Sequence, residues 1–181
     1  MSQRLIDKQV IYTGKRIRLE LHTLENEQTA VRHAREVVVH PGAVVILPFV
    51  SHSQILLIKN RRQALGGERL IEIPAGTLEK GEEPMNCAGR ELVEETGHIA
   101  GRLKPIGNFF TSPGVLSEKI YAFAAYDLEI AKVDPDEGEE IEVLPTDFDE
   151  AIEMIRDNRI HDGKTIATIL MYDRFYRESP R

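Results

Sequence analysis

Residues 76–97 read GTLEKGEEPMNCAGRELVEETG. Gly76 is followed by Glu82, then by Arg90-Glu91-Leu92, Glu94-Glu95 and Gly97, the spacing G-x5-E-x7-R-E-U-x-E-E-x-G with U aliphatic. At average residue usage these eight positions coincide by chance on the order of 10⁻⁹ per start point, so the spacing carries information. Pro84 suits the first turn of a helix, where a missing N–H costs nothing, and Gly97 suits the left-handed position that ends one. A helix is therefore predicted from Glu83 or Pro84 to about Thr96. It sets Glu91, Glu94 and Glu95 at i, i+3 and i+4, three carboxylates on one face. Like charges at that spacing cost about 0.2–0.5 kcal/mol per pair, and Gly89 inside the helix costs about 1 kcal/mol against Ala. A hard divalent cation resolves the conflict, because Mg²⁺ takes oxygen ligands from one or two carboxylates and keeps its other positions for water and phosphate. Arg90 can pair with Glu94 one turn on or reach back to Glu82, holding loop and helix in register.

The surroundings are those of an ordinary globular protein. The 181 residues suffice for one core and a small extension, at 41% hydrophobic and 29% charged. No apolar run approaches the roughly 20 residues that span a membrane, and MSQRLIDKQV has no signal-peptide core, so a cytoplasmic location is expected. The single cysteine, Cys87, allows no intrachain disulfide and no cysteine metal site. The six histidines, at 22, 33, 40, 52, 98 and 161, show no metal-ligand spacing. A net charge of −7 has the wrong sign for sequence-independent nucleic-acid binding. An anionic substrate needs local cations and metal to draw it in.

Residues 8–39 read as strands, with Ile17, Leu19 and Leu21 alternating against Arg16, Arg18, Glu20 and His22. Such a small sheet exposes edges and is expected to pack on the main domain or on a second subunit. At Pro41-Gly42 the character changes. AVVILPFV (43–50) and QILLIKN (54–60) are continuous apolar runs typical of strands buried on both faces. RLIEIPAG (69–76) leads into the helix segment, and strands are expected at 103–110, 119–128 and 141–145, with a TSPG turn at 111–114. Thr146 reads as the N-cap of DFDEAIEMIRDN. The last helix, from Lys164, is expected to bury Ile166, Ile169, Leu170 and Phe175. The order gives an α+β or α/β fold, a mixed sheet between helices, with an N-terminal antiparallel extension at 1–40 and the main domain at 41–181.

The stretch at 76–97 resembles the Nudix box, the loop–helix signature of hydrolases that split nucleoside diphosphates linked to another group. The resemblance implies the Nudix fold, with metal held by Glu91, Glu94, Glu95 and the backbone carbonyl of Ala75. It implies structural roles for Gly76, Glu82, Arg90 and Gly97. The cofactor implied is Mg²⁺, with Mn²⁺ the alternative. One position departs: an aliphatic residue usually follows the last Gly, and here His98 does, with Ile99 next. Beyond the box, Pro113 in TSPG, the strands at 8–39, REVVVHPGAVVILPF (35–49) and RIHDGKTIATILMY (159–172) are similar to the ADP-ribose pyrophosphatase group. EIEVLPTDFDEAIEMI and HDGKT are similar also to relatives that hydrolyse GDP-mannose.

The activity implied is attack of a metal-activated water on the pyrophosphate of ADP-ribose, giving AMP and ribose 5-phosphate, with GDP-mannose or another nucleotide sugar as the alternative substrate. Triphosphate or RNA 5′-end pyrophosphohydrolysis and a non-catalytic nucleotide-binding module are the further alternatives. The acidic surface speaks against the RNA reading, and the intact glutamates against the non-catalytic one. In the resembling enzymes an arginine matching Arg35 lies against the base, and one matching Arg62 reaches the phosphates. Glu72 could accept from the exocyclic amine of the base; as an inward acid on an apolar strand it needs a partner in any case. Lys15 stands after Gly14 where some relatives carry an aromatic, which weakens an adenine-stacking platform there. Glu139, in the loop DPDEGEE, matches the general base, with Glu140 and Glu142 as neighbours able to substitute; Glu94 is the second catalytic candidate. A homodimer exchanging residues 1–40 is implied as well.

Overall fold

The computed structural model describes residues 2–131 and 141–177. The chain divides into two compact units, Met1–Gly42 with Phe109–Lys119, and Ala43–Asn108 with Ile120–Arg181.

The first unit is an antiparallel sheet of β1 (Gln3–Thr13), β2 (Arg18–Asn26) and β3 (Arg32–Val39) in sequential order. The segment 109–119 joins it at β3: Val38 N–H donates to the Val115 carbonyl at 2.8 Å, and Ser117 N–H to the Val38 carbonyl at 2.9 Å. The alternation in β2 is broken at the residue that is most buried. Glu20 is 5% exposed, its carboxylate held by Arg18 Nε at 2.6 Å and by His22 Nε2 at 2.7 Å, while Ile17 is 41% exposed. These two partners, His22 first, hold Glu20 below the usual carboxylate range.

The second unit contains two further sheets. β4 (Ala43–Pro48) lies between β7 (Ala75–Thr77) and β9 (Lys119–Ile130), with β8 (His98–Phe110) beyond β9. It is antiparallel to β7 and parallel to β9, so the sheet is mixed. The other sheet places β5 (Gln54–Arg62) between β10 (Glu142–Asp147) and β6 (Glu68–Glu72), both antiparallel to it. β4 is buried along its whole length, as its uninterrupted apolar sequence requires. Val44 and Ile46 pack with Cys87, Ala88 and Leu92 of α1 (Pro84–Thr96) and with Phe123 and Ala125 of β9. Alternation sends Val45 and Leu47 to the opposite face, and α3 (Gly163–Phe175) also packs on β4. The sheet is thus covered by helices, the α+β architecture that the order of elements predicts.

Two local expectations are corrected. The helix after β10, α2 (Phe148–Arg156), is capped by Asp147, whose carboxylate accepts the Asp149 N–H at 2.9 Å. Thr146 is still in β10, opposite Ile55, and its hydroxyl donates to the Leu144 carbonyl. In α3 the buried residues are Thr165, Thr168, Ile169 and Tyr172, whereas Leu170 is 43% and Phe175 74% exposed. Both threonine hydroxyls are internally bonded: Thr165 Oγ1 accepts from Ile73 N–H, and Thr168 Oγ1 donates to the Lys164 carbonyl. Their burial therefore leaves no polar group unsatisfied.

Candidate active site

The loop and helix at 76–97 are fastened by one guanidinium. Arg90 meets Glu82 side-on, through Nε and Nη2, each at 3.0 Å, and Glu82 also accepts the Glu79 N–H at 2.9 Å. Nη1 of the same arginine donates to Glu91 at 2.7 Å and to Glu94 at 2.9 Å. The structure takes up both pairings open to Arg90 in the sequence and adds a third. The Arg90 hydrogen bonds, with help from the Glu79 N–H, lower the Glu82 carboxyl to about 2, and Glu82, then Glu91, hold Arg90 charged well above its usual range. Cys87 lies beneath this clasp, fully buried, and burial pushes its thiol up to about 12. It is a packing residue.

The carboxylates meet the sheet at two points. Glu95, 7% exposed, accepts the Ala75 N–H at 2.8 Å. Glu91 lies directly over Gly76: a Cβ there would fall 1.8 Å from the Glu91 carboxyl carbon. No side chain fits at position 76 while Glu91 keeps this place. Gly97 ends α1 at φ 69°, its N–H bonded to the Val93 carbonyl.

Among the described residues no three of His, Cys, Asp and Glu are gathered about one point as metal ligands are, because Arg90 takes Glu91 and Glu94 while Ala75 takes Glu95. The donor set nonetheless fits a hard divalent cation: three carboxylates at helical spacing, all oxygen, with the glycine cradle that seats Glu91 against β7. The residues that would hold such an ion are Glu91, Glu94, Glu95 and the backbone at Ala75.

Glu72, the last residue of β6, and Arg62, the last of β5, stand together ahead of the box. Glu72 is wholly buried and binds Arg62, through Nε at 2.7 Å and through Nη2, and also the ammonium of Lys164. Lys164 in turn pairs with Asp162 at 2.9 Å, and Asp162, the N-cap of α3, accepts from the Thr165 N–H and hydroxyl. The partner that the inward acid requires is therefore double. Arg62 is the nearer in sequence; Lys164 was not singled out, although it stands in HDGKT. The signal available for it was a lone cation at a helix N-terminus, where positive charge is disfavoured.

Arg35 is exposed on β3 and Pro113 in the turn 111–114, both in the first unit. Ser112 closes that turn, its carbonyl accepting the N–H groups of Val115 and Leu116. Glu139 and Glu140 lie outside the described residues; Glu142, exposed, opens β10 opposite Lys59.

Fold and site define an α+β protein whose carboxylate-bearing helix is clasped to a mixed sheet. The chain belongs to the Nudix family: residues 39–168 match the NUDIX domain. It is 38% identical over 172 residues to an ADP-ribose pyrophosphatase of Bacillus subtilis (strain 168), covering 93% of this chain and 91% of that one. Over the same shares it is 34% identical to a methanol dehydrogenase activator of Bacillus methanolicus. A GDP-mannose pyrophosphatase of Salmonella paratyphi B is 38% identical over 148 residues, 77% of each chain. Among solved structures, an ADP compounds hydrolase superposes with a TM-score of 0.84 at 20% identity, over 97% of this chain and 94% of that one, a likeness of fold. No helix among the described residues is long and apolar enough to cross a membrane.

Proposed function

We propose that this chain hydrolyses the pyrophosphate bond of ADP-ribose to AMP and ribose 5-phosphate, with Mg²⁺ as the metal. The observation that carries the reading is the contact of two box glutamates with the strand ahead of the helix, Glu95 on the Ala75 N–H and Glu91 over Gly76. The substrate is supported by the likeness to an ADP-ribose pyrophosphatase along nearly the whole chain. GDP-mannose is the second reading, favoured by equal identity over a shorter span.

The divalent ion, when bound, neutralises phosphate charge and lowers the pKa of a water. The chain supplies the rest. Glu95 and Glu91 anchor the helix to β7, Arg90 holds the loop to it through Glu82, and Arg62 offers a cation for a phosphate. Glu139, outside the described residues, is the proposed general base. A base acts in the chemical step, so Glu139→Gln is expected to lower kcat on the order of 10²-fold or more with KM little changed. Wild-type kcat in that variant beside a crippled Glu140→Gln or Glu142→Gln would move the base to the neighbour.

The test of the whole reading is a panel of ADP-ribose, GDP-mannose, diadenosine polyphosphates and triphosphates, with Mg²⁺ and with Mn²⁺, scored by product identity. AMP with ribose 5-phosphate as the fastest products is expected. GMP with mannose 1-phosphate as the fastest would establish the second reading, and binding without hydrolysis a non-catalytic module.

A further inference from the structure

The four residues Glu72 to Ala75 tie together four elements of the second unit. The Glu72 carboxylate binds Arg62 of β5 and Lys164 of α3. Ile73 N–H donates to Thr165 Oγ1 of α3 at 3.0 Å, the Pro74 carbonyl accepts from Ile46 of β4 at 2.8 Å, and Ala75 N–H donates to Glu95 of α1 at 2.8 Å. Each of these four residues is bonded in turn, so the cation at one end and the box glutamate at the other are joined through one short, fully bonded run of chain.

The charges in this cluster balance, Glu72 and Asp162 against Arg62 and Lys164. Stability alone does not call for such an arrangement, because a buried ion pair is commonly matched or bettered by apolar residues of the same volume. What it provides is direction. Glu72 takes the Nε and Nη2 edge of Arg62, which leaves Nη1 on the opposite edge of a planar fork, and the Arg62 side chain is 35% exposed. Glu72 itself has no exposed surface. It meets a bound nucleotide only through what it holds.

We infer that Glu72 is a positioning residue: its buried carboxylate fixes the Arg62 guanidinium so that the outer edge faces the phosphates, at a distance from Glu95 set by residues 72–75. This rests on the pyrophosphatase reading above and replaces the contact with the base that the sequence leaves open to Glu72. The attraction of Glu95 is felt at Arg62, after the hydrogen bonds and charge of Glu72, in holding the guanidinium charged, in keeping with the short span between them.

Glu72→Asp keeps the charge and draws the carboxylate back by one methylene, about 1.5 Å. Misplacing a binding group by that much can cost up to about 10²-fold. We would measure the Kd of ADP-ribose by calorimetry without metal, and KM and kcat with Mg²⁺, for wild type, Glu72→Asp, Arg62→Gln and the double variant. Glu72→Asp is expected to melt near the wild-type temperature, with Kd and KM raised about tenfold or more and kcat falling less. The double variant is expected to be no worse than Arg62→Gln alone. Wild-type Kd and KM in Glu72→Asp, or full additivity in the double variant, overturns the inference. Arg62→Lys covers the case in which Glu72→Asp does not fold: it keeps the charge without the two-edged grip, and a wild-type Kd there overturns the inference equally. A wild-type chain that neither binds nor hydrolyses a nucleotide sugar overturns the pyrophosphatase reading as well; a wild type that does both, beside an unaffected Glu72→Asp, overturns the positioning role alone.

Discussion

Glu95 joins two roles that a single substitution can separate. Its Oε2 accepts the Ala75 N–H, and its charge is one of three on the helix face. Glu95→Gln keeps an oxygen to accept that hydrogen bond while removing the charge a divalent ion needs. The variant is expected to fold normally and to lose on the order of 10²-fold or more in kcat. Steady-state kinetics across a Mg²⁺ titration, beside a melting curve, decide it; full activity with unchanged metal dependence would remove Glu95 from the metal set. Gly76 is constrained as tightly by geometry, since any Cβ would displace Glu91.

At the scale of elements, the stability of the box loop depends on pH in a definable direction. The Glu82 carboxyl is lowered from an ordinary 4.5 to about 2, first by the Arg90 hydrogen bonds. A group depressed on folding stabilises the native state fully above its unfolded value, and that contribution is lost as pH falls through the folded one. The clasp therefore weakens between about pH 4.5 and pH 2. Glu82→Gln is expected to cost about 1.5–3 kcal/mol at pH 7, in the range for hydrogen bonds to charged groups, and the gap to wild type should close across that window. Urea midpoints at pH 7, 4.5 and 3 test it; a gap that stays constant or widens on acidification contradicts the assignment.

The helix of this element was legible because its signals are local: Pro84, Gly97 and the i, i+3, i+4 glutamates all lie within 76–97, and the observed span is Pro84–Thr96. The burial of β4 was legible from its unbroken apolar run. What stayed hidden depends on remote pairing. Lys164 meets Glu72 from 92 positions away, and no local pattern encodes that meeting. The buried face of α3 departs from its apolar periodicity for a related reason: periodicity counts letters, whereas Thr165 and Thr168 are buried because their hydroxyls find partners. The cap of α2 moved by one residue because Thr146 and Asp147 are both good caps, and strand pairing retained Thr146.

For the whole molecule, the first unit poses the problem of covering a small sheet. β1 leaves Val10 and Ile11 each 53% and Tyr12 59% exposed, and Val31, just before β3, is 60% exposed. The segment 109–119 bonds to the β3 edge, and a small sheet with apolar side chains in water and β1 at its other edge invites pairing with another chain. We propose that a second copy of this chain provides the cover, by exchange of residues 1–40 between subunits, and that Arg35 on β3 serves the substrate from there. The wild-type chain is then expected to elute as a dimer by size exclusion with light scattering. A chain beginning at residue 41 is expected to be monomeric, with KM for ADP-ribose raised about tenfold or more, the range for loss of a charge-assisted contact. The box lies wholly outside the deleted segment, so metal dependence should be unchanged. A deleted chain that stays dimeric with an unaltered KM would show that the sheet is neither the interface nor a source of substrate contacts. A monomer of wild-type KM would keep the interface and take Arg35 away from the substrate.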